Sequence, residues 1–180
     1  MSCLRDPPSH DGVRAAVAYS EQSAALAIRL KYGSRLGVAE LMARHMQRFV
    51  RSCPDSTIIV PVPLHRTRLW SRGFNQSVLI GRCLSLAQDI PMYTDIISRK
   101  RATPPLRAMS AKERRKTVKG AFVLSTRNQH HVANNTIFLV DDVYTSGATA
   151  NACAALLKSA GARQVVVLCW ARVLPKSDQI

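Results

Sequence analysis

One short segment, residues 137–149 (IFLVDDVYTSGAT), restricts the fold of this chain more than any other. Four apolar residues lead directly into two adjacent acids, Asp141 and Asp142, and a run of small and hydroxyl-bearing residues follows: Thr145, Ser146, Gly147, Ala148 and Thr149. The apolar run predicts a buried strand, and the small residues predict the start of a helix. Ligands of open α/β sheets bind at the carboxyl ends of strands, so this segment predicts a ligand site.

The residue types in this segment favour a phosphorylated sugar as the ligand. Gly147 permits a tight turn, and the backbone amides at a helix start, with the neighbouring hydroxyl groups, form a site for a phosphate. Asp141 and Asp142 would then accept hydrogen bonds from two ribose hydroxyls, or hold them through Mg²⁺. The alternative is that the acids cap a turn and Thr149 caps a helix, which explains single residues but not the whole run. The motifs GxxxxGK[ST] and GxGxxG are missing from the sequence, which excludes a P-loop.

Helical and strand patterns alternate along the chain. We predict helices at 21–32, 36–50, 74–87 and 148–160, and strands at 57–62, 92–98, 121–124, 136–140 and 165–169. Short, wholly apolar strands between helices predict an α/β fold, in which a mostly parallel twisted sheet is flanked by helices. The length of 180 residues predicts a single domain, with an N-terminal helical pair (12–56) forming a hood and residues 57–173 forming the core.

A basic segment follows the predicted strand at 57–62. Residues 63–76 (PLHRTRLWSRGFNQ) carry four side chains suited to binding an anion: His65, Arg66, Arg68 and Arg72. A basic loop at a second strand end suits a second anion such as pyrophosphate, and the alternative is a surface loop that happens to be basic. We expect Trp70 and Phe74 to be packing residues rather than base-stacking residues.

The net charge is high and unevenly distributed. Lys and Arg total 26 against 11 Asp and Glu, which gives +15 and indicates a polyanionic partner: a phosphate-rich small molecule, a nucleic acid or a membrane surface. Residues 99–119 hold nine basic residues and one acidic residue, Glu113, together with two prolines. We predict a long mobile loop there, with a helical turn near 111–116, that acts as a lid or is simply solvated.

Composition excludes several classes of protein. An apolar fraction of 47% is too high for a disordered chain. No apolar run approaches the ~18 residues of a membrane span, so membrane insertion is not expected. The five cysteines form no CxxC pair, and the first twelve residues lack the apolar stretch of a signal peptide, so we expect reduced thiols and a cytoplasmic location.

Four stretches together resemble known proteins. VDDVYTSGAT (140–149) resembles the signature of the type I phosphoribosyltransferases, which bind phosphoribosyl pyrophosphate (PRPP). VPVPLHRTRLWSRGFNQS (60–77) resembles the signature of the ComF competence-protein family and its gluconate-utilisation relatives. RLKYGSRLGVAELMA (29–43) and TPPLRAMSAKERRKTVKGAFVL (103–124) are similar to that family's lead-in helices and flexible loop. The resemblance covers roughly residues 12 to 173.

The resemblance implies a Mg²⁺-dependent transfer of ribosyl 5-phosphate, a glycosyltransferase reaction, with release of pyrophosphate. It implies that Asp141 and Asp142 hold the ribose diol and that the segment from Thr145 to Thr149 holds the 5′-phosphate. It also implies that four residues face the pyrophosphate: His65, Arg66, Arg68 and Arg72. Arg114 or Arg115 would reach the anion when the loop 99–119 closes. Mg²⁺ would be bound through substrate oxygens, with Asp141 and Asp142 as the protein groups nearest to it.

Three departures from the family pattern bear on activity. Leu106 and Thr117 stand where the family often has Gln and Asn, within the loop expected to complete the site, so they affect catalysis more than ligand binding. Only Cys3 lies where many members end a cysteine-rich zinc module, and a lone cysteine cannot form a four-ligand zinc site. We expect that this chain lacks the module or starts downstream of it.

Two functions remain open on the sequence. In the first, the chain is an enzyme in which a nucleophile attacks C1 of PRPP. In the second, it is a non-catalytic or DNA-linked competence protein that handles incoming single-stranded DNA in natural transformation, with DNA or DNA-uptake proteins as partners. The acceptor and the oligomeric state are not specified by any pattern in the sequence.

Overall fold

Four parallel strands form the centre of the molecule. The computed structural model of the protein describes residues 7–32, 36–51, 53–104 and 109–174, so the predictions about Cys3 and Leu106 lie outside the described residues. The parallel sheet has the order β1–β6–β5–β2, and a separate antiparallel pair joins β3 to β4. The strand bounds are β1 (Gly12–Ala18), β2 (Thr57–Pro61), β3 (Ile97–Arg99), β4 (Phe122–Leu124), β5 (Thr136–Tyr144) and β6 (Gln164–Arg172).

The two central strands are the ones with the longest apolar runs. Residues 136–140 of β5 and residues 165–171 of β6 are all buried. Their register pairs Leu139 with Val167, and Asp141 with Cys169. A parallel sheet covered on both faces needs such continuous apolar strands, and this confirms the predicted α/β fold with a parallel sheet flanked by helices.

Helices cover both faces of the sheet. On one face α1, α2 and α4 bury residues such as Leu30, Met42 and Leu84 against β5 and β6. On the other face α5, α6 and the β3–β4 pair bury residues such as Val118 and Leu157. None of the helices in the described part of the chain has the length and apolar character needed to span a membrane. The helix bounds are α1 (Glu21–Tyr32), α2 (Leu36–Met46), α3 (Arg66–Arg72), α4 (Gln76–Gln88), α5 (Ala111–Val118) and α6 (Ala148–Ser159).

The N-terminal segment differs from its sequence prediction. A helical hood was expected to begin at residue 12, but residues 12–18 form β1, an edge strand of the main sheet that pairs with β6. This strand is rich in alanine and has one strand neighbour, so it lacks the long β-branched run that marks the buried strands. Both helices of the expected hood also pack on the sheet, with Leu30 and Met42 fully buried.

The two basic segments contain more regular structure than the sequence indicates. Residues 66–72, expected to be a loop, form α3, which begins at the capping residue His65 and ends at Gly73 with φ +77°. In the second basic segment α5 spans eight residues rather than one turn. Ser110 and Glu113 form a capping box at its start, and this pattern is readable in the sequence.

Trp70 does not pack as predicted. It lies on α3 and is 85% exposed, whereas Phe74 is half-buried. The helix α3 has no buried residue, so its outer face is not covered by any described element. The prediction of a packing role is therefore wrong for Trp70.

Candidate anion-binding site

A cavity of about 920 Å³ opens at the carboxyl ends of β2 and β5. Several parts of the fold form its walls. They are the end of β5 with the loop into α6, the segment after β2 with α3, the start of α4, the end of β3, α5, one side of α1, and Val173 after β6. Parallel strands bring their carboxyl ends to the same edge, which is why segments distant in sequence meet here. We call the part formed by residues 141–149 the loop wall. We call the four arginines of the lining the arginine wall: Arg68, Arg72, Arg99 and Arg114.

The acid pair lies within the last part of β5 rather than in the loop after it. Asp141 Oδ1 accepts hydrogen bonds from the Ser77 hydroxyl at 3.3 Å and from the Asp142 backbone amide at 2.9 Å. Burial of the Asp141 carboxyl group and the neighbouring Asp142 charge raise its pKa to about 7. A carboxyl group with this pKa can be present in either protonation state near neutral pH, and a cationic or hydrogen-bonding ligand favours the ionised state.

Lys31 is a site residue that the sequence analysis did not identify. Its ammonium nitrogen lies 2.7 Å from Asp142 Oδ2, with side-chain exposures of 23% and 14% for the two partners. It projects from α1 into the cavity and is one of the groups that lower the pKa of Asp141. The lysine belongs to the LKY stretch of the lead-in helices, but nothing in the local pattern indicates that α1 crosses to β5.

The loop after β5 has the geometry expected of a phosphate site. Gly147 adopts φ +72° as the residue before α6, in the left-handed region that favours glycine. A Cβ atom there would lie 2.2 Å from the Tyr144 hydroxyl oxygen, so only glycine fits. Thr145, Ser146 and Thr149 line the main cavity, and Gly147 and Ala148 line a small adjoining recess of about 40 Å³.

Tyr144, the last residue of β5 before this loop, contacts the N-terminal segment. His10 is 8% exposed, and its Nε2 lies 3.0 Å from the Tyr144 hydroxyl. Burial lowers the pKa of His10, so the imidazole is neutral at physiological pH. Asp11 adds an ion pair to Lys158 at 2.7 Å, and its carboxylate accepts a hydrogen bond from the Val165 amide at 2.6 Å. Residues 10 and 11 therefore link the end of β5 to α6 and β6.

The arginine wall contains two of the four predicted pyrophosphate residues. Arg68 and Arg72 line the cavity, where Arg68 donates to the Thr103 carbonyl at 2.9 Å and Arg72 donates to the Gln76 side-chain oxygen at 3.3 Å. His65 lies outside the cavity lining, because its imidazole accepts a hydrogen bond from the Thr67 amide and caps α3. Arg66 is exposed and also lies outside the lining.

The two arginines expected from the flexible loop are also separated. Arg114 lines the cavity, while Arg115, the next residue on α5, does not. Thr117, one of the departures from the family pattern, lies outside the lining too, and its carbonyl accepts a hydrogen bond from Arg101 at 2.9 Å. In this structure Thr117 therefore contributes to the fold of α5 rather than to the cavity.

Arg99 is a second site residue that the sequence did not single out, because it was counted only as part of the basic segment 99–119. It is 8% exposed, donates a hydrogen bond to the Thr103 hydroxyl, and lies 5.1 Å from the Phe122 ring centroid. Its Nε atom has no hydrogen-bond partner among the described residues. Burial and then the neighbouring Arg68 charge lower the pKa of Arg99. A buried guanidinium beside a second one in a cavity is a strong attraction for an anion.

The described residues offer no cluster of three or more His, Cys, Asp and Glu side chains that could hold a metal ion. Asp141 and Asp142 are the carboxylates on the cavity wall. Mg²⁺ is commonly held by one or two carboxylates together with substrate phosphates, so the donor set of this cavity suits a metal ion that arrives with a phosphorylated substrate.

The fold and cavity together define an α/β protein with an arginine-lined cavity at the carboxyl edge of a parallel sheet. The chain is 33% identical over 177 residues to competence protein F of Haemophilus influenzae, covering 95% of this chain and 77% of that protein. It is 34% identical over 180 residues to the DNA utilization protein YhgH of Escherichia coli O157:H7, covering 96% of this chain and 77% of that protein. The chain therefore belongs to the competence protein F family, as its motifs predict.

More distant similarities extend this comparison. Competence protein ComFC of Bacillus subtilis is 32% identical over 114 residues, covering 63% of this chain and 43% of that protein. Among solved structures, phosphoribosylpyrophosphate synthetase from Mycobacterium smegmatis overlaps 74% of this chain and 34% of its own, with 14% identity and a TM-score of 0.48. The glutamine PRPP amidotransferase from B. subtilis overlaps 79% of this chain and 30% of its own, with 16% identity and a TM-score of 0.49. No family model matches the sequence.

Proposed function

We propose that this chain binds PRPP and transfers its ribosyl 5-phosphate group to an acceptor, with release of pyrophosphate. The observation that carries the proposal is the composition of one cavity. Its lining holds the acid pair and the Thr/Ser-rich loop after β5 together with four arginines. A ribose 5-phosphate matches the loop wall, and a pyrophosphate matches the arginine wall.

The chemistry needs little from the protein beyond binding and charge. The bond between ribose C1 and the pyrophosphate oxygen breaks, its electron pair leaves with the pyrophosphate, and a lone pair of the acceptor forms the new bond to C1. The arginine wall neutralises the charge that develops on the leaving pyrophosphate. Asp141 and Asp142 accept hydrogen bonds from the ribose hydroxyls and hold the sugar in position.

Magnesium fits this arrangement as a substrate-borne ion. Asp141 and Asp142 are the residues that would hold it, and it would supply charge neutralisation on the ribose and pyrophosphate oxygens. In the structure, the Lys31 ammonium group forms an ion pair with Asp142 at 2.7 Å. When the Asp142 carboxylate binds ribose or metal, contacts with the ligand replace this ion pair. Lys31 is then free to contact a phosphate of the ligand.

Calorimetric titration of PRPP, with and without Mg²⁺, tests the proposal. We expect Mg²⁺-dependent binding by the unaltered chain and a loss of at least about a hundredfold in affinity in the double variant Asp141→Asn, Asp142→Asn, because two charged hydrogen-bond acceptors are removed. Asp89→Asn is the matched control, because Asp89 is exposed and adopts φ +52°, which asparagine also tolerates. Failure of the folded, unaltered chain to bind PRPP under either condition would overturn the proposal.

As a second candidate, we propose that the chain handles single-stranded DNA in competence. Its relatives carry the names competence protein F and DNA utilization protein, and its net charge of +15 suits a polyanion. Steeply salt-dependent binding of an oligonucleotide is the expected result. The two candidates are compatible, because exposed basic residues such as Arg66 and Arg127 lie outside the cavity lining.

A further inference from the structure

Tyr144 stands between the acid pair and the loop that leads into α6, and its ring is held on several sides. It is the last residue of β5, and its half-buried ring packs against the core cluster beneath α6. The Arg172 guanidinium lies over the ring, with Cζ 5.7 Å from the centroid. The His10 imidazole meets the ring edge-on, at an interplanar angle of 82°, and its Nε2 lies 3.0 Å from the hydroxyl oxygen. These contacts fix the orientation of the Tyr144 side chain.

The end of this ring supports the turn at Gly147. A Cβ atom built on Gly147 would lie 2.2 Å from the Tyr144 hydroxyl oxygen and 2.7 Å from Cζ, so the backbone of the turn packs directly on the phenol. Gly147 precedes α6, and its carbonyl accepts a hydrogen bond from the Asn151 amide at 2.8 Å in the first turn of that helix. A displaced ring would therefore displace the amides at the start of α6, which are the groups proposed to bind the 5′-phosphate.

The segment 9–11 holds His10 in place from the other side. The Ser9 amide donates a hydrogen bond to the Asn151 side-chain oxygen, and Asp11 forms its ion pair with Lys158 near the end of α6. His10 is 8% exposed, and its Nδ1 has no hydrogen-bond partner among the described residues. A buried ring nitrogen without a partner is unfavourable for folding, and such exceptions concentrate at functional sites. This cost indicates that the imidazole serves the site beside it.

We propose that Tyr144 is a positioning residue for the 5′-phosphate: its hydroxyl fixes the turn at Gly147, and His10 fixes the hydroxyl. The inference rests on the proposed PRPP function and gives the segment 9–11 a role in it. The arginine wall is built from other elements, namely α3, β3 and α5. Loss of the contact between His10 and Tyr144 therefore acts on the half of the ligand that the loop wall binds.

Two ligands separate the two walls in a calorimetric titration of the full-length chain with Mg²⁺. PRPP contacts both walls, whereas pyrophosphate lacks the ribose 5-phosphate half. We expect Tyr144→Phe and His10→Phe each to weaken PRPP binding about fivefold, because the turn is then less firmly positioned. The affinity for pyrophosphate should stay within about twofold, because separate sites act independently.

A conservative variant separates positioning from general stability. The side-chain amide of glutamine can form a hydrogen bond in place of Nε2, so His10→Gln should restore most of the PRPP affinity that His10→Phe loses. Thermal midpoints report whether each variant is folded. A purely structural role for His10 would make PRPP affinity follow the thermal midpoint rather than the presence of this hydrogen bond.

The chain offers a matched tyrosine–histidine pair away from the cavity. The rings of Tyr93 and His131 stack with centroids 4.2 Å apart, and Tyr93 packs against the same core cluster as Tyr144. Neither Tyr93 nor His131 lines the cavity. Tyr93→Phe and His131→Phe remove the same groups and should leave the affinities for PRPP and pyrophosphate unchanged.

The outcomes distinguish the inference from the function on which it rests. If the unaltered chain binds PRPP and both Tyr144→Phe and His10→Phe bind it equally well, the positioning role is overturned and the proposed function stands. A parallel loss of pyrophosphate affinity, or an equal loss of PRPP affinity in Tyr93→Phe, would show a general structural effect and would also overturn it. If the folded, unaltered chain binds no PRPP, the proposed function fails and this inference fails with it.

Discussion

The two walls of the cavity are built in different ways. The loop wall is a single contiguous segment, residues 141–149, at the end of one central strand. The arginine wall is assembled from α3, β3 and α5, whose arginines lie up to 46 positions apart in the sequence, from Arg68 to Arg114. The difference shows that the loop wall is encoded locally, whereas the arginine wall depends on how the whole sheet is assembled.

Among single substitutions, the largest effect on PRPP affinity is expected from Gly147→Ala, which alters the loop wall alone. The left-handed conformation costs alanine roughly 1–2 kcal/mol, and the new Cβ would also lie 2.2 Å from the Tyr144 hydroxyl. We expect the loop to shift and PRPP affinity, measured by calorimetry, to fall by more than about tenfold.

Gly120→Ala is the control that separates conformational strain from the clash. Gly120 adopts φ +68°, close to the φ +72° of Gly147, but a Cβ there would meet nothing within 4 Å. The expected result is a similar cost in stability from strain with unchanged PRPP binding. Equal PRPP affinities in the two variants would contradict a role for the loop geometry.

A somewhat smaller effect is expected from Arg99→Met, which alters only the arginine wall. Removing one charged donor should weaken pyrophosphate binding about tenfold or more. The thermal midpoint should stay the same or rise, because a buried guanidinium with an unpartnered Nε is replaced by an apolar side chain of similar length. Arg127→Met, at an exposed arginine in the turn after β4, is the control. A lower midpoint with unchanged pyrophosphate affinity would make Arg99 a structural residue.

The acid pair is also expected to make stability depend on pH. The pKa of Asp141 is raised from 3.8 to about 7 in the folded chain, so the folded state binds more protons than the unfolded state between those values. This group therefore makes the folded chain less stable as pH rises from about 4 to about 7. We expect Asp141→Asn to flatten that part of a plot of unfolding free energy against pH. The lowered pKa of His10 makes the folded chain more stable as pH rises towards about 6.5, which is the opposite direction. The quantity to compare is therefore the difference in unfolding free energy between the unaltered chain and Asp141→Asn at each pH.

Lys31→Met tests the cause of the Asp141 pKa in the same measurement of unfolding free energy against pH. The ammonium group is one of the influences that lower the pKa of Asp141, so its removal should raise that pKa further and extend the loss of stability to higher pH. The variant also leaves Asp142 without its 2.7 Å partner. An unchanged pH profile would show that the ion pair has no electrostatic effect on Asp141.

The sequence predicted what is encoded in contiguous residues. The apolar runs of β5 and β6 located the centre of the sheet, and the run from Asp141 to Thr149 marked one side of the cavity. The sequence did not reveal β1, because an alanine-rich edge strand carries a weak periodic signal. The roles of Lys31 and Arg99 were also missed, because each depends on a long-range contact between elements, and exposed lysines and arginines are common in any basic chain.

Placement of the acid pair within a strand has a consequence for the timing of ligand binding. Asp141 and Val143 lie in the β5–β6 ladder, in register with Cys169 and Ala171, so the backbone that carries both acids is fixed by the sheet before any ligand arrives. Little rotational entropy is then lost on that side when a complex forms. If the chain binds PRPP as proposed, we expect the rate of capture to depend on collision with a largely preformed wall, and the lifetime of the complex to depend on how firmly the arginine wall holds the pyrophosphate.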